Sequence, residues 1–219
     1  MISIPKIIRL VAAGQDERLL DEVVRNGRSM PLAVRMRLSE PGVLPAAAAG
    51  LALQRVCELT YRPTEASIAL MRRVLDRQQL GAAEGSFGSV AGTAIALAGL
   101  LGVVHQFDAL PGSASPRFID EQLESAVRSA LEPAIESLAR AQERGLFEGG
   151  AGLIGDGIDS AIVVWQLGFE PRFTSAIRFE ALLEAIDTRG LRHCRSTAPL
   201  VGRMKRARSA LSVSYGSAA

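Results

Sequence analysis

Residues 75–100 read LDRQQLGAAEGSFGSVAGTAIALAGL. A helix-like stretch runs into Gln79. A glycine-rich turn carrying Gly85 and Phe87 follows, and then Thr93 opens a long apolar run. This order has a physical sense. A glutamine at the end of one helix can reach unpaired backbone groups at a neighbouring helix end. Glycine turns the chain where a side chain would strain it. The aromatic ring covers the corner, and the threonine can cap the helix that follows.

The order recurs. A second unit reads Leu138-x3-Gln142-x2-Gly145-Leu146-Phe147, with Asp159-Ser160-Ala161 opening the next apolar helix. A worn third unit reads Leu183-x3-Asp187-x2-Gly190-Leu191-Arg192, then Ser196-Thr197-Ala198, and a faint earlier copy lies at Leu20-x3-Val24-x2-Gly27. A repeat of this size is a helical hairpin that buries its apolar face only by stacking on its neighbours.

Outward from the repeat, helix signals fill the chain. Pro5 near its start and Gly14 near its end bound a first short helix. Asp16–Asn26 opens with acids and stops at Gly27, as the helix dipole favours. Leu44–Leu59 is alanine-rich, and Thr64 is a good N-cap for a helix over 65–79. Residues 108–117 form a loop rich in Pro, Gly and Ser. Helix resumes from Phe118, with Pro133 marking a kink or a fresh start. Apolar helices at 44–59, 93–107 and 159–167 alternate with amphipathic ones at 64–79, 132–144 and 175–188. The alternation predicts an inner buried layer and an outer solvated one. The expected architecture is all-α: repeated helical hairpins forming a partial α/α toroid or a short curved solenoid. Residues 1–43 form an N-terminal helical segment packed on a hairpin domain over 44–210, and 211–219 is a disordered tail.

Bulk composition agrees. The 219 residues are 48% hydrophobic and only 5% aromatic, with strand-favouring runs scarce. Cys57 and Cys194 stand far apart, which is neither a disulfide framework nor a zinc pattern and suits a reduced, bacterial-type cytosol. The strongest membrane candidate, Val90–Val104, has 15 residues against the ~20 a bilayer requires. The net charge of +2 hides an asymmetry. Residues 1–187 carry 18 basic and 23 acidic groups, and the seven remaining basic residues all follow Asp187. Arg203, Lys205, Arg206 and Arg208 make a basic patch there, either a solvated face or a contact for an acidic partner.

A helix ending in Leu-x3-Gln, then Gly-x-aromatic, then a Thr-Ala-led apolar helix resembles the QW-type repeat of the terpenoid cyclase and protein prenyltransferase α/α-toroid superfamily. The resemblance spans roughly residues 64–210 and is strong over 70–104 and 133–168. It implies the fold more than the chemistry. The class II cyclases' Asp-x-Asp-Asp acid motif, which keeps one carboxyl protonated by clustering acids, does not occur; the nearest segment is Asp156-Gly157-Ile158-Asp159. Those two acids at a helix start are first read as capping groups. The prenyltransferases' zinc set of Asp, Cys and His has no matching spacing among Cys57, His105, His193 and Cys194. A class I Asp-rich metal motif and a phosphate loop are also missing. Neither a metal nor a cofactor is expected.

The resulting expectation is a non-enzymatic interaction or scaffold protein that binds a protein partner, or a second copy of itself, through apolar inner helices. The alternative is a divergent prenyltransferase- or terpene cyclase-like protein that binds or transforms an isoprenoid or another hydrophobic small molecule. Nucleic-acid binding through the basic end is the weakest reading, because no aromatic residues interleave the basic ones. His105, Asp156, Asp159 and Trp165 are the candidate ligand or partner surface, with Trp165 a core residue or a cavity wall. Gln79, Gly85, Phe87, Thr93, Gln142, Gly145 and Phe147 are assigned to the repeat itself.

Overall fold

A computed structural model describes residues 3–26, 30–79, 84–109, 121–143, 145–147, 152–168, 170–189 and 202. The described chain is all-α apart from one minimal hairpin. In order come α1 (Ile4–Ala12), α2 (Asp16–Asn26), α3 (Leu32–Leu38), α4 (Leu44–Leu59), α5 (Glu65–Leu75), α6 (Val90–Ala109), α7 (Glu121–Ala141), β1 (Gln142–Glu143), β2 (Leu146–Phe147), α8 (Gly152–Leu167), α9 (Pro171–Ala176) and α10 (Phe179–Thr188). The third repeat unit beyond Arg189, the basic patch, His193, Cys194 and the tail over 211–219 lie outside the described residues.

The centre is the pair α4 and α6. Their small side chains let the two backbones nearly touch. A Cβ on Gly50 would lie 2.7 Å from the Ile95 carbonyl oxygen, and one on Gly99 would lie 2.9 Å from the Gly50 carbonyl oxygen. Ala46 faces Gly92 near one end and Cys57 faces Gly102 near the other, so the helices run parallel. Gln54 Nε2 donates to the Ile95 carbonyl at 3.1 Å across the seam. Helix α2 packs on α4 and α8 packs on α6, while α1, α5, α7 and α9 form a second succession of contacts. Thr64 caps α5 through a reciprocal box with Ser67.

Both expected repeat corners form, with the roles redistributed. Helix α5 ends at Leu75, not at Gln79. Gln79 instead closes the turn: its N–H donates to the Ser86 carbonyl at 2.8 Å, and its own carbonyl accepts from the Gly85 N–H at 3.1 Å. The reach to the next outer helix is made by Gln78, whose Nε2 donates to the Ala130 carbonyl of α7 at 3.0 Å. In the second unit Gln142 itself reaches, exchanging hydrogen bonds with the Arg178 N–H and carbonyl at 2.8 and 2.9 Å.

Thr93 does not cap α6, which starts three residues earlier. Its Oγ1 lies inside the first turns and accepts the Phe87 N–H at 2.9 Å. Ser160 does the same for the Phe147 N–H at 2.9 Å. The true counterpart of Thr93-Ala94 is therefore Ser160-Ala161, and Asp159 is no cap: α8 begins seven residues before it. Phe87 and Phe147 fill the two corners, each fully buried, and Phe147 stacks on Phe173 with centroids 6.2 Å apart.

Gly85 and Gly145 make the two corners equivalent. Both have positive φ, +83° and +91°. A Cβ on Gly85 would lie 2.0 Å from the Pro133 carbonyl oxygen of α7, and one on Gly145 would lie 2.3 Å from the Ala181 carbonyl oxygen of α10. Each turn is thus pressed under the backbone of the next outer helix. Pro133 neither breaks nor restarts α7, which runs through it.

Helix α6 also corrects the expected length. It has 20 residues and a mean hydropathy of 1.7, enough by length and composition to cross a bilayer, with 83% of that window buried inside the protein. Gly85→Ala and Gly145→Ala should each destabilise the protein by more than about 2 kcal/mol, since left-handed backbone and backbone collision add. Gly102→Ala, whose new Cβ would meet Cys57 at an ordinary 3.6 Å, should stay within about 0.5 kcal/mol of the parent. Denaturant titration of the three variants checks both statements.

Candidate functional site

Helix α6 is buried along nearly its whole length. The positions left open are Ala98, Gly102, His105, Asp108 and Ala109, and all but Asp108 follow one another at helical spacing and make a single stripe. That stripe is the floor of a groove. On one side stand Gln54, Cys57, Glu58 and Tyr61 from the end of α4, and on the other Gln166 from the end of α8, around a cavity of about 490 Å³. A second cavity of about 350 Å³ adjoins it and shares Gln54, Glu58 and Gln166. Its own walls come from Val23 and Val24 of α2, Met30, Leu51, Arg55 and Trp165. The small Ala98 and Gly102 give the groove its depth, because side chains of ordinary size there would fill it.

Two of the four expected surface residues reach this groove. His105 lies in its floor, 66% exposed at the side chain, with Nε2 3.9 Å from Glu170 Oε2. Trp165 is a half-buried wall. Asp156 and Asp159 do not form a surface: they are 8% and 0% exposed. Asp159 is held from the far side by Arg37 of α3, in a two-point pair with Nε–Oδ1 at 2.8 Å and Nη2–Oδ2 at 2.7 Å. Glu40 engages the remaining arm of Arg37.

Arg37 is held charged even more firmly than usual by its hydrogen bonds to Asp159. Burial pushes the Asp159 carboxyl above its ordinary range against the pull of Arg37, and neighbouring Asp156 adds to the push. Burial thus works against the carboxylate while the pair holds the guanidinium charged, and buried ion pairs in general return little net stability over an apolar replacement. The pair therefore fixes α3 on α8, 122 residues apart, and is a positional device more than a source of stability.

Helix α3 was absent from the sequence expectations. Its signal was short: Pro31 at the N-cap and Val34 and Leu38 four residues apart, both fully buried. Leu32 and Met36, on its other side, are exposed.

The groove holds Cys57 and His105, and Glu170 stands behind His105 at 3.9 Å, residue types that could form a nucleophile, a base and an orienting acid. The electrostatics oppose that chemistry. Burial, with help from Glu58, pushes the Cys57 thiol up to about 12, whereas a nucleophilic thiol needs a depressed pKa. Glu170 also caps α9 by accepting the Arg172 N–H. Among the described residues, no group of three or more His, Cys, Asp or Glu could hold a metal ion.

Compared with protein-family models, curated proteins and solved structures, the chain matches none. Arg37→Met should destabilise the protein by about 3–5 kcal/mol, while the double variant Arg37→Met/Asp159→Leu should recover most of that loss, because an apolar pair needs no hydration. Chemical denaturation of the single and double variants measures it. In a Cys194→Ser background, Cys57 should react with iodoacetamide at pH 8 at least about a hundredfold more slowly than a free thiol, since so little of it is thiolate. A rate near that of free cysteine would contradict the thiol's burial.

Proposed function

We propose that this chain is a non-enzymatic binding protein, built as a short curved arc of α/α hairpins, that takes part of a partner or ligand into the groove over α6. The arc reading rests on the two equivalent corners at Gly85 and Gly145 and on the parallel run of α4 and α6. The QW-like repeat fits such a partial toroid. The binding reading is carried by one observation. The inner helix α6 is mostly buried but leaves a stripe through Ala98, Gly102 and His105 open, and this stripe floors a groove whose one thiol, Cys57, is held protonated by burial. Of the apolar inner helices, α6 offers this stripe, and the rest of its length is covered by its neighbours.

The combined groove falls in the range of small-molecule sites, so a hydrophobic ligand suits it as well as a short stretch of protein. An isoprenoid diphosphate suits it poorly. Anions seek helix N-termini and free cations, and the groove is bordered by the C-terminal ends of α4, α6 and α8. Its guanidinium, that of Arg55, spends its charge on Glu58 and reaches the Asn26 carbonyl, with only its Nε–H buried and unpaired.

Ala98→Phe places a ring on the groove floor at a half-buried site. Native mass spectrometry should show the parent with a bound small molecule or partner that Ala98→Phe has lost, with the fold intact by circular dichroism. Retention of the same bound mass by the variant would sink the groove as the binding site. Geranylgeranyl diphosphate should leave the Tm of the parent unchanged; a rise that saturates with ligand would restore the isoprenoid reading.

A further inference from the structure

The charges that line the larger cavity are paired with one another. Glu58 pairs with Arg55. His105, when protonated, faces the Glu170 carboxylate at 3.9 Å. Carbonyls at the ends of α4 and α8 are taken as well. Gln106 Nε2 donates to those of Cys57 and Thr60 at 3.1 and 2.6 Å. The Gly168 and Glu170 amides donate to those of Val164 and Leu167, each at 2.9 Å. Two buried side-chain atoms among the described residues lack a partner, Arg55 Nε and Gln106 Oε1, and burial shuts both off from an occupant of the cavity.

Apart from Tyr61, which stands out in solvent on the rim, what remains open is a pair of amides. Gln54 from α4 and Gln166 from α8 stand on opposite sides of the floor, and both line the two adjoining cavities. Gln54 has a fixed orientation: its Nε2 donates to the Ile95 carbonyl at 3.1 Å, which leaves its Oε1 as an acceptor. Gln166 is half-buried and has no hydrogen-bond partner among the described residues, so it offers a donor and an acceptor side by side. Beneath them the floor of Ala98 and Gly102 is apolar. An ion here would give up hydration with no free counter-charge to replace it. A pure hydrocarbon would cover both amides and leave them unpaired, which also costs free energy. An uncharged occupant avoids both costs if it brings a donor for each glutamine oxygen and an acceptor for Gln166 Nε2.

We propose that the groove binds a small uncharged molecule that carries a primary carboxamide on an apolar body. The body lies on Ala98 and Gly102, and the carboxamide sits between the two glutamines. A primary carboxamide has its C=O and one N–H on the same side. It pairs with Gln166 through two parallel hydrogen bonds, and its second N–H donates to Gln54 Oε1. The trans amide of a peptide holds N–H and C=O on opposite sides and cannot form the two-point pair. The inference rests on the groove being the binding site, and it names the class of ligand.

Trp165 is the chain's single tryptophan and borders the adjoining cavity, so its fluorescence reports occupancy. The test titrates the whole protein with probes of nearly one shape: 3-phenylpropanamide, its ketone isostere 4-phenylbutan-2-one, 3-phenylpropanoate and 3-phenylpropylammonium. The amide should bind with saturation. The ketone keeps the acceptor but has no N–H. It should bind at least about tenfold more weakly, because both glutamine oxygens are then left unpaired. The two ions should bind more weakly than the ketone. Gln166→Leu should bring the amide down to the affinity of the ketone and leave the ketone within about threefold of its value on the parent. Equal or tighter binding of the ketone or of either ion by the parent overturns the proposal. A Gln166→Leu variant that leaves the amide unmoved, or weakens amide and ketone alike, overturns it too. So does the failure of the amide to bind at up to about 10 mM, beyond the weakest affinities such a site would show. If the amide fails while Ala98→Phe still removes a bound mass in the native spectrum, the groove stands as the binding site and the ligand class falls alone.

Discussion

The close approach of α4 and α6 is the constraint from which the rest follows. Two parallel helices have aligned dipoles that repel side by side, so such a pair needs compensation from packing. Here it comes from near contact of backbones, with Gly50 and Gly99 set against each other's chains and Gln54 bridging the seam. Larger residues at those positions would push the helices apart and open the core. The same closeness brings the C-terminal carbonyls of α4 and α6 together at one end, where α8 joins them.

The corners at Gly85 and Gly145 propagate the arrangement. In each, a glycine in left-handed backbone slides under the next outer helix, a glutamine ties the turn to that helix, and an aromatic amide is held by a hydroxyl from the next inner helix. Each unit is completed only by its successor. Damage at one corner therefore loosens both the hairpin that carries it and the outer helix it is pressed under. The two units also differ in a way that matters. Gln142 satisfies three backbone groups at once, whereas Gln79 spends its backbone on the turn and leaves the bridge to Gln78.

Much of the fold was legible because the signals were local. Caps and breakers placed α2 and α4 at their observed ends, and the spacing of Gln, Gly and aromatic residues located both corners. What failed was assignment of roles within a turn. A glutamine pair at 78–79 gives no local sign of which member turns outward, and a Thr or Ser that caps and one that receives an amide from a preceding loop have the same composition. Helix α8 was read as starting at Asp159 because an acid near an apolar run resembles an N-cap. Its real partner, Arg37, lies 122 residues away, and no local pattern carries that distance. Of the candidate surface residues, His105 and Trp165, which interrupt apolar helices, line the two cavities, whereas Asp156 and Asp159 are buried. Glu58, Gln106 and Tyr61 line the groove as well, and no local pattern shows it, because it depends on which helix ends meet.

The buried pair and the groove are connected through α8. Arg37 and Asp159 pin α3 to the middle of that helix, and its last turn supplies Trp165 and Gln166 to the groove. An apolar replacement of the pair would hold α3 as firmly in energy but without direction, since dispersion contacts tolerate sliding where a two-point hydrogen-bonded pair does not. The pair's hydration loss is then explained by what it specifies: the position of α8 relative to the start of the chain. A groove walled by α8 on one side and by α4 on the other keeps its width only if both walls are fixed. The ion pair ties the late helix to the early segment, and the α4–α6 seam fixes the floor between them.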